Sequence, residues 1–357
     1  MKHFRSWILL GLTTPALLAL ARPADEILFA PASGLRLEKT FEVSVVSAID
    51  DMEVVVNGNP MPAPPMEVET TQANTITVTD SYVKAEDSRV LVLERTYNEL
   101  GGDVALSMEH PMQGPVEQEM ASISDLEGTT VIFHWNAEEE VYEAEFSEDN
   151  ADEDEELLEG LDQDMDFVAF LPDGPVSVDD SWSFPASAIS SVLAPGGYLS
   201  MLPEEVSAEM ESSAGLDFSR QLGDLEGDCT ATYTGSKKTD EGVMAFISLT
   251  IEASSTRDIT EFMAEAVRNS AEQLKAANME QEIQSADASF EFDLTGELIW
   301  NVDGGHFESI ELAGSTDIVI DLAMAMTVMG KSMDMENAIY SSGEITASAS
   351  AVVLSAE

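Results

Sequence analysis

Positive charge is scarce in this chain. Its 357 residues include 15 Lys and Arg against 69 Asp and Glu, which gives a formal net charge of −54. Nucleic-acid binding needs a cluster of basic residues, so this balance excludes a nucleic-acid partner. The single cysteine, Cys229, excludes an internal disulfide framework and Cys-rich zinc or iron–sulfur sites. Hydrophobic residues still make up 44% of the chain, which indicates a folded protein.

Catalytic motifs are also missing. Only four histidines occur, and the sequence contains no H-E-x-x-H, H-x-H or G-x-S-x-G pattern. Carboxylate pairs suited to acid–base chemistry have no diagnostic value among 69 acidic residues. We therefore predict a protein that is not an enzyme and has no cofactor beyond weakly associated Ca²⁺.

The first 21 residues have the pattern of a secretory signal. Lys2 and Arg5 precede an apolar stretch, and Ala19-Leu20-Ala21 supplies a small-x-small cleavage site. A membrane anchor is the alternative, but the apolar run is shorter than the ~20 residues that a spanning helix needs. The pattern predicts cleavage after Ala21 and export to the periplasm or the extracellular medium. Because no second long apolar run follows, it also predicts no stable membrane insertion after cleavage.

Alternation of apolar and polar residues dominates the rest of the chain and predicts antiparallel strands. We divide it into an N-terminal β-rich half (22–148), an acidic connection (149–175) and a C-terminal half (176–357). In the C-terminal half, residues 258–278 have a helical apolar stripe and a capping-box start. The predicted class is α+β, with curved, mainly antiparallel sheets and this one long amphipathic helix packed on the C-terminal sheet.

A short motif resembles a group of exported bacterial proteins of unknown function. Their signature is Leu-Pro, a spacer, Val, and then Gly-Asp-Ser-Trp. Here Leu171-Pro172 is followed by Val176 and by Asp179-Asp180-Ser181-Trp182, with Asp179 where the group has glycine. The architecture is also similar to lipoprotein carriers of the LolA type. That similarity implies a curved sheet around helices that holds an acyl chain.

Four aspartates form a candidate metal site. Asp162, Asp164, Asp166 and Asp173 occupy positions 1, 3, 5 and 12 of a calcium-loop spacing. Phe167 stands where the loop needs glycine, so a solvated acidic loop is the alternative interpretation. Divalent cations are predicted partners in either case, because a strongly acidic surface attracts them.

Methionine is abundant, with 18 residues in the chain. Five crowd one C-terminal hairpin: Met324, Met326, Met329, Met333 and Met335. Met-rich surfaces suit apolar ligands, although packing filler is the simpler explanation. The sequence supports two functions. One is an exported, non-enzymatic binder of an apolar or lipid-like ligand in a cavity between sheet and helix. The alternative is an acidic surface or matrix interaction protein modulated by divalent cations.

Overall fold

The computed structural model describes residues 25–62, 67–86, 88–110, 114–203, 224–269, 279–328 and 330–355. The predicted signal segment lies outside them. In chain order the elements are β1 (Arg36–Val56), β2 (Asn59–Met61), β3 (Glu67–Glu86), β4 (Arg89–His110), β5 (Gly114–Ile123), β6 (Thr130–Asn136), β7 (Val141–Phe146), β8 (Ser181–Ser183), α1 (Ser190–Leu193), β9 (Leu202–Pro203), β10 (Glu226–Lys238), β11 (Val243–Asp258), α2 (Thr260–Asn269), β12 (Met279–Asn301), β13 (His306–Val328) and β14 (Lys331–Val353). Single 3-10 turns lie at Glu148–Asn150, Glu155–Leu158, Val168–Phe170 and Ala186–Ile189.

The fourteen strands of the described residues belong to one antiparallel sheet. The order along its main path is β7-β6-β4-β3-β1-β14-β13-β12-β11-β10-β8, while β2, β5 and β9 pair off this path. The first and last long strands, β1 and β14, pair at its centre from Leu37–Val353 to Val56–Met335. The N-terminal and C-terminal halves of the chain therefore share one sheet.

The sheet has one face packed against the core and one face that is largely exposed. On β1, Leu37, Lys39, Phe41, Val43 and Val45 are buried, whereas the residues between them are exposed or half-buried. We call the first side the core face and the other the open face. This alternation follows from the period of two in a strand.

Loop segments before β1 and between β7 and β9 pack on the core face. Phe167 packs edge-on against Phe41 and Phe307, and Phe29 packs edge-on against Trp300. The Trp300 indole donates a hydrogen bond to the carbonyl of Leu28 at 3.2 Å. These aromatic contacts place the centre of the core between the loops and strands β1, β12 and β13.

A diagonal line of glycines crosses strands β12, β13 and β14 of the sheet. A Cβ atom at Gly296 would overlap the carbonyl oxygen of Glu311, one at Gly314 that of Asp293, and one at Gly343 that of Val46. On each successive strand from β12 to β14, the glycine lies two residues away from the residue that pairs with the previous glycine. Glycine inside a strand permits such close backbone approach and sharp local curvature.

The predicted α+β class is wrong. The described part of the chain is nearly all antiparallel β, with 67% of its residues in strands and 9% helical. The predicted helix at 258–278 is described only as α2, Thr260–Asn269, which lies against β12; residues 270–278 lie outside the described part. The reason is strand length. Strands β1, β3, β4, β12, β13 and β14 contain 20 to 23 residues each, far more than the short runs that alternation alone suggested.

Candidate functional site

Four charged side chains form a fully buried network on the core face. Lys39 lies on β1, Asp80 on β3 and Arg95 on β4, which are neighbouring strands, and Asp166 reaches them from the loop before β8. Each strand residue stands between two apolar core-face residues, so the alternation of its strand directs the charge inward.

Asp80 binds both cations of this network. Its Oδ2 lies 2.7 Å from Lys39 Nζ, and Arg95 donates to both of its oxygens, from Nε at 2.7 Å and from Nη2 at 2.9 Å. Such a bidentate pair is among the strongest hydrogen-bonded ion pairs in proteins. Arg95 also donates from Nη1 to the backbone carbonyl of Asp162 and from Nη2 to that of Gln163, both at 3.0 Å.

Asp166 completes the network from the loop side. Its Oδ1 accepts hydrogen bonds from Lys39 Nζ at 2.7 Å and from the Tyr82 hydroxyl at 2.6 Å. Its Oδ2 is buried without a partner among the described residues. Lys39 also donates to the carbonyl of Met165 at 3.3 Å. The network thus fastens residues 162–166 to three strands.

The network shifts the pKa values of its members. Burial alone would raise the pKa of the Asp80 carboxyl, but Arg95 and Lys39 hold that pKa at about 2. Asp80 therefore contributes stability that is present above its ordinary pKa near 3.8 and lost as the pH falls toward 2. Burial and the nearby Asp166 carboxylate raise the Tyr82 pKa well above its ordinary value. At neutral pH the tyrosine is thus a neutral hydrogen-bond donor.

The candidate calcium loop supplies part of this network. Asp162 Oδ1 accepts a bond from the amide of Asp164, and Asp164 Oδ1 accepts one from the amide of Asp166, both at 2.9 Å. These two successive Asx turns carry Asp166 into the core. Burial and Asp166 raise the Asp164 pKa to about 6.

Asp173, the fourth residue of the candidate loop, is exposed, and in the described part no hydrogen bond joins it to the other three aspartates. No group of three or more potential metal ligands occurs among the described residues. The calcium loop stays a prediction, while the structure assigns Asp166 an ion pair with Lys39.

The core face extends beyond the loop segments that pack on it. In this distal part the core-face side chains are only partly buried. Cross-strand neighbours there include Ile320 with Ile339, Met324 with Met335, and Met326 with Met333. We call this surface the distal apolar face; its members are Met52, Val54, Val56, Ile283, Ile318, Ile320, Leu322, Met324, Met326, Met333, Met335 and Ile339. All of them are half-buried except Met324, which is 7% exposed.

Four of the five methionines of the C-terminal hairpin therefore lie on one face of the sheet. Met324, Met326, Met333 and Met335 are all core-face residues of β13 and β14, while Met329 lies outside the described residues. Asn337 and Ser341 are the polar interruptions on the β14 side. The spacing in sequence indicated a hairpin, and the register adds that the four side chains share a face with Ile320 and Ile339.

The open face has the opposite character. The open-face positions of β1 after Thr40, and those of β12, β13 and β14, contain no Lys or Arg. Carboxylates stand directly opposite each other across strands, as at Glu297 with Glu311 and at Asp287 with Asp321. A trough of about 680 Å³ on this face is lined by Glu42, Glu297 and Glu311 among short Ser, Thr and Ala side chains.

We expect the melting temperature to rise with ionic strength, because like charges placed opposite each other on a sheet destabilise it and salt screens them. Between 10 mM and 1 M NaCl the expected gain is roughly 3 °C or more. NaClO₄ serves as the control salt. Because it also screens charge, the melting temperature should rise at low NaClO₄ concentrations as well. Melting that is flat or falls with both salts would contradict this.

Comparisons with known proteins give little to build on. No family model matches the chain, and no curated protein matches it. Among solved structures, the outer membrane protein OprG from Pseudomonas aeruginosa is similar over 90% of this chain and 98% of that one, at 6% identity and a TM-score of 0.21. An outer membrane channel from Pseudomonas putida F1 covers 88% of this chain and 97% of its own, at 9% identity and a TM-score of 0.16.

These matches correct one expectation from the sequence. Both matched proteins are outer membrane proteins, which stands against the prediction of no stable membrane insertion, and that prediction is withdrawn. It rested only on the lack of a second long apolar run, which tests for spanning helices alone. Among the described residues, no helix is long and apolar enough to cross a membrane. At these TM-scores the matches carry no argument about activity or ligand.

Proposed function

We propose that the chain is an exported, non-enzymatic protein that binds an apolar or lipid-like ligand on its distal apolar face. The observation that carries the proposal is the continuation of the core-face pattern. Apolar side chains occupy the core side of β1, β13 and β14 in the distal half, where they keep part of their surface in water. Contiguous apolar patches of this kind mark binding sites.

The composition of the face suits such a ligand. Methionine is unbranched and polarizable, so its side chain can adapt to guests of different shape. Met324, Met326, Met333 and Met335 contribute four such side chains, and Ile320 and Ile339 extend the apolar surface toward the covered core. Export is supported by the signal pattern of residues 1–21, which predicts a mature chain that begins at Arg22.

A charge placed on this face tests the proposal. Met326 and Thr327 are adjacent on β13, and because side chains alternate, Met326 lies on the core face and Thr327 on the open face. With an apolar fluorescent probe such as N-phenylnaphthylamine, Met326→Glu should weaken binding by about tenfold or more, because the ligand must then desolvate a carboxylate. Thr327→Glu changes the charge equally and should leave probe binding close to that of the parent.

The outcome that would contradict the proposal is equally direct. If the two variants bind the probe alike, or if the parent chain does not bind it at all, the distal apolar face is not a ligand site. Circular dichroism of both variants confirms that the sheet is intact, so that any loss of probe binding can be assigned to the face itself.

A further inference from the structure

Four methionine side chains meet on the core face near the tip of the hairpin formed by β13 and β14. Met324 and Met326 are two residues apart on β13, and so are Met333 and Met335 on β14, so the period of two puts each pair on one face. The register places Met324 directly opposite Met335, and Met326 directly opposite Met333. We call these four residues the methionine quartet.

The quartet has the dimensions of a site with four ligands. Cβ atoms of directly opposite residues on paired strands are about 5 Å apart, and same-face neighbours along one strand are about 7 Å apart. The four Cβ atoms therefore mark a rectangle, with each of them about 4 Å from its centre. In methionine the sulfur lies two bonds beyond Cβ on an unbranched side chain. A metal–sulfur bond of about 2.3 Å then reaches a common centre from every corner.

The quartet is open to water on one side and has apolar neighbours on the others. Met324 is 7% exposed, while the other three methionines are half-buried. The row of Met335 and Met324 continues into Val56 on β1 and Ile283 on β12. The Met324 sulfur accepts a hydrogen bond from Nε2 of Gln281 at 3.1 Å, so a polar partner reaches one of its lone pairs. Its second lone pair is left for a metal ion.

Thioether sulfur selects one class of metal ion. Among the described residues, no group of three or more His, Cys, Asp or Glu side chains could hold a metal, so the quartet offers a ligand of a different kind. Soft sulfur ligands favour Cu(I), and a set of four sulfurs suits tetrahedral coordination. Leucine or isoleucine would fill an apolar face equally well without supplying a ligand.

The charges around the quartet also favour a cation. Lys331 is the next core-face position on β14 beyond the quartet, and it is exposed and makes no ion pair with any described residue. Four exposed carboxylates outnumber it, those of Asp334 and Glu336 on β14 and those of Glu280 and Glu282 on β12. The local potential is therefore negative, as it is for the whole chain with its net charge of −54.

We propose that the methionine quartet binds one Cu(I) ion through its thioether sulfurs. The ion binds without a change of oxidation state. This assignment goes beyond the proposed function and does not depend on it, because an apolar guest contacts the carbon surface of the side chains whereas Cu(I) uses the sulfur lone pairs.

Methionine methyl resonances report such binding directly. Residues 22–357 labelled with [methyl-¹³C]methionine are titrated with up to two equivalents of AgNO₃ in chloride-free buffer, since Ag(I) is the air-stable soft cation of the same charge as Cu(I). All proteins carry Cys229→Ala, which removes the one thiol that would compete for Ag(I). The quartet resonances should shift together and saturate at one equivalent, and Cu(I) added anaerobically should shift the same set.

Leucine variants supply the matched controls, because leucine keeps the apolar volume of methionine but has no sulfur. By calorimetry, Met326→Leu should weaken Ag(I) binding by about tenfold or more, since even the loss of an outer-shell partner costs that much. Met52→Leu should leave the affinity unchanged, because Met52 lies on the same face opposite Ile339 and outside the quartet. Replacing all four quartet methionines with leucine should abolish binding.

Three results would overturn the assignment: no shift of the quartet resonances in the parent, undiminished Ag(I) binding in the fourfold leucine variant, or equal losses in Met326→Leu and Met52→Leu. Circular dichroism checks that each variant is folded. The leucine variants should still bind N-phenylnaphthylamine. Probe binding without metal binding would therefore overturn the Cu(I) site alone, and metal binding without probe binding would overturn the proposed function alone.

Discussion

Replacing Asp80 with asparagine is expected to lower the free energy of unfolding by about 3–5 kcal/mol, the usual cost of removing one partner of a buried ion pair. Asp80 is the carboxylate shared by Lys39 and Arg95, and all three side chains are inaccessible to water. With an amide in its place, Asp166 alone must balance two buried cations. Chemical denaturation, followed by circular dichroism, measures the change.

An exposed ion pair provides the comparison for Asp80. Lys84 and Glu86 lie 3.3 Å apart with side chains 54% and 61% exposed, so Glu86→Gln should change the free energy of unfolding by no more than about 1 kcal/mol. If Asp80→Asn lowered the free energy of unfolding no more than Glu86→Gln does, the network would not hold residues 162–166 against the sheet in the way that its geometry indicates.

Gly314→Ala should destabilise the chain by about 1–3 kcal/mol, the range for a backbone forced out of its preferred geometry. Its Cβ would overlap the carbonyl oxygen of Asp293 on the paired strand, and backbone cannot move aside as a flexible side chain can. Thermal and chemical denaturation report the loss of stability.

Gly101→Ala is the matched control for this change. Gly101 also lies within a strand, β4, but no atom lies within 4 Å of the Cβ that alanine would add there. That variant should be neutral or more stable by up to about 1 kcal/mol, since alanine loses less conformational entropy on folding. Equal stability of the two variants would show that the close backbone approach at Gly314 does not limit the stability of the chain.

Alternation along the chain predicted the antiparallel strands but neither their full length nor their partners. In the C-terminal half, residues 317–328 alternate in the expected way, and they form the distal part of β13. The pairing of β1 with β14 joins residues more than 270 positions apart, and nothing local in one sequence encodes such a contact. The helical pattern that begins at residue 258 does correspond to a helix, α2. A single short helix is not enough to place the protein in the α+β class.

The buried network left a signal in the sequence. Lys39 stands between Leu37 and Phe41, at a position where the period of two demands an apolar residue, and Asp80 and Arg95 stand at equivalent positions in their own strands. A charge at a core-face position indicates a partner opposite it, because an unpaired buried charge is too costly. The partner Asp166 could not be found in this way, since it comes from a loop.

The spacing of the aspartates in the acidic run is compatible with a metal loop and with a solvated acidic loop. The same spacing also produces successive Asx turns, and in the structure those turns are what Asp162 and Asp164 form. Trp182, in the motif that resembles the exported family, is half-buried against the core and donates its indole hydrogen to the Phe170 carbonyl at 3.0 Å. These two features depend on which loop covers the sheet, and local sequence does not determine that.

Native mass spectrometry of residues 22–357, purified from an exporting host, tests the central claim most directly. A protein that binds an apolar or lipid-like ligand should carry a discrete extra mass that disappears on denaturation, and fragmentation of that mass should identify the ligand. Met326→Glu should reduce the loaded fraction, whereas Thr327→Glu should retain it. A clean apo mass in all three proteins, unchanged when excess N-phenylnaphthylamine is added, would contradict the account.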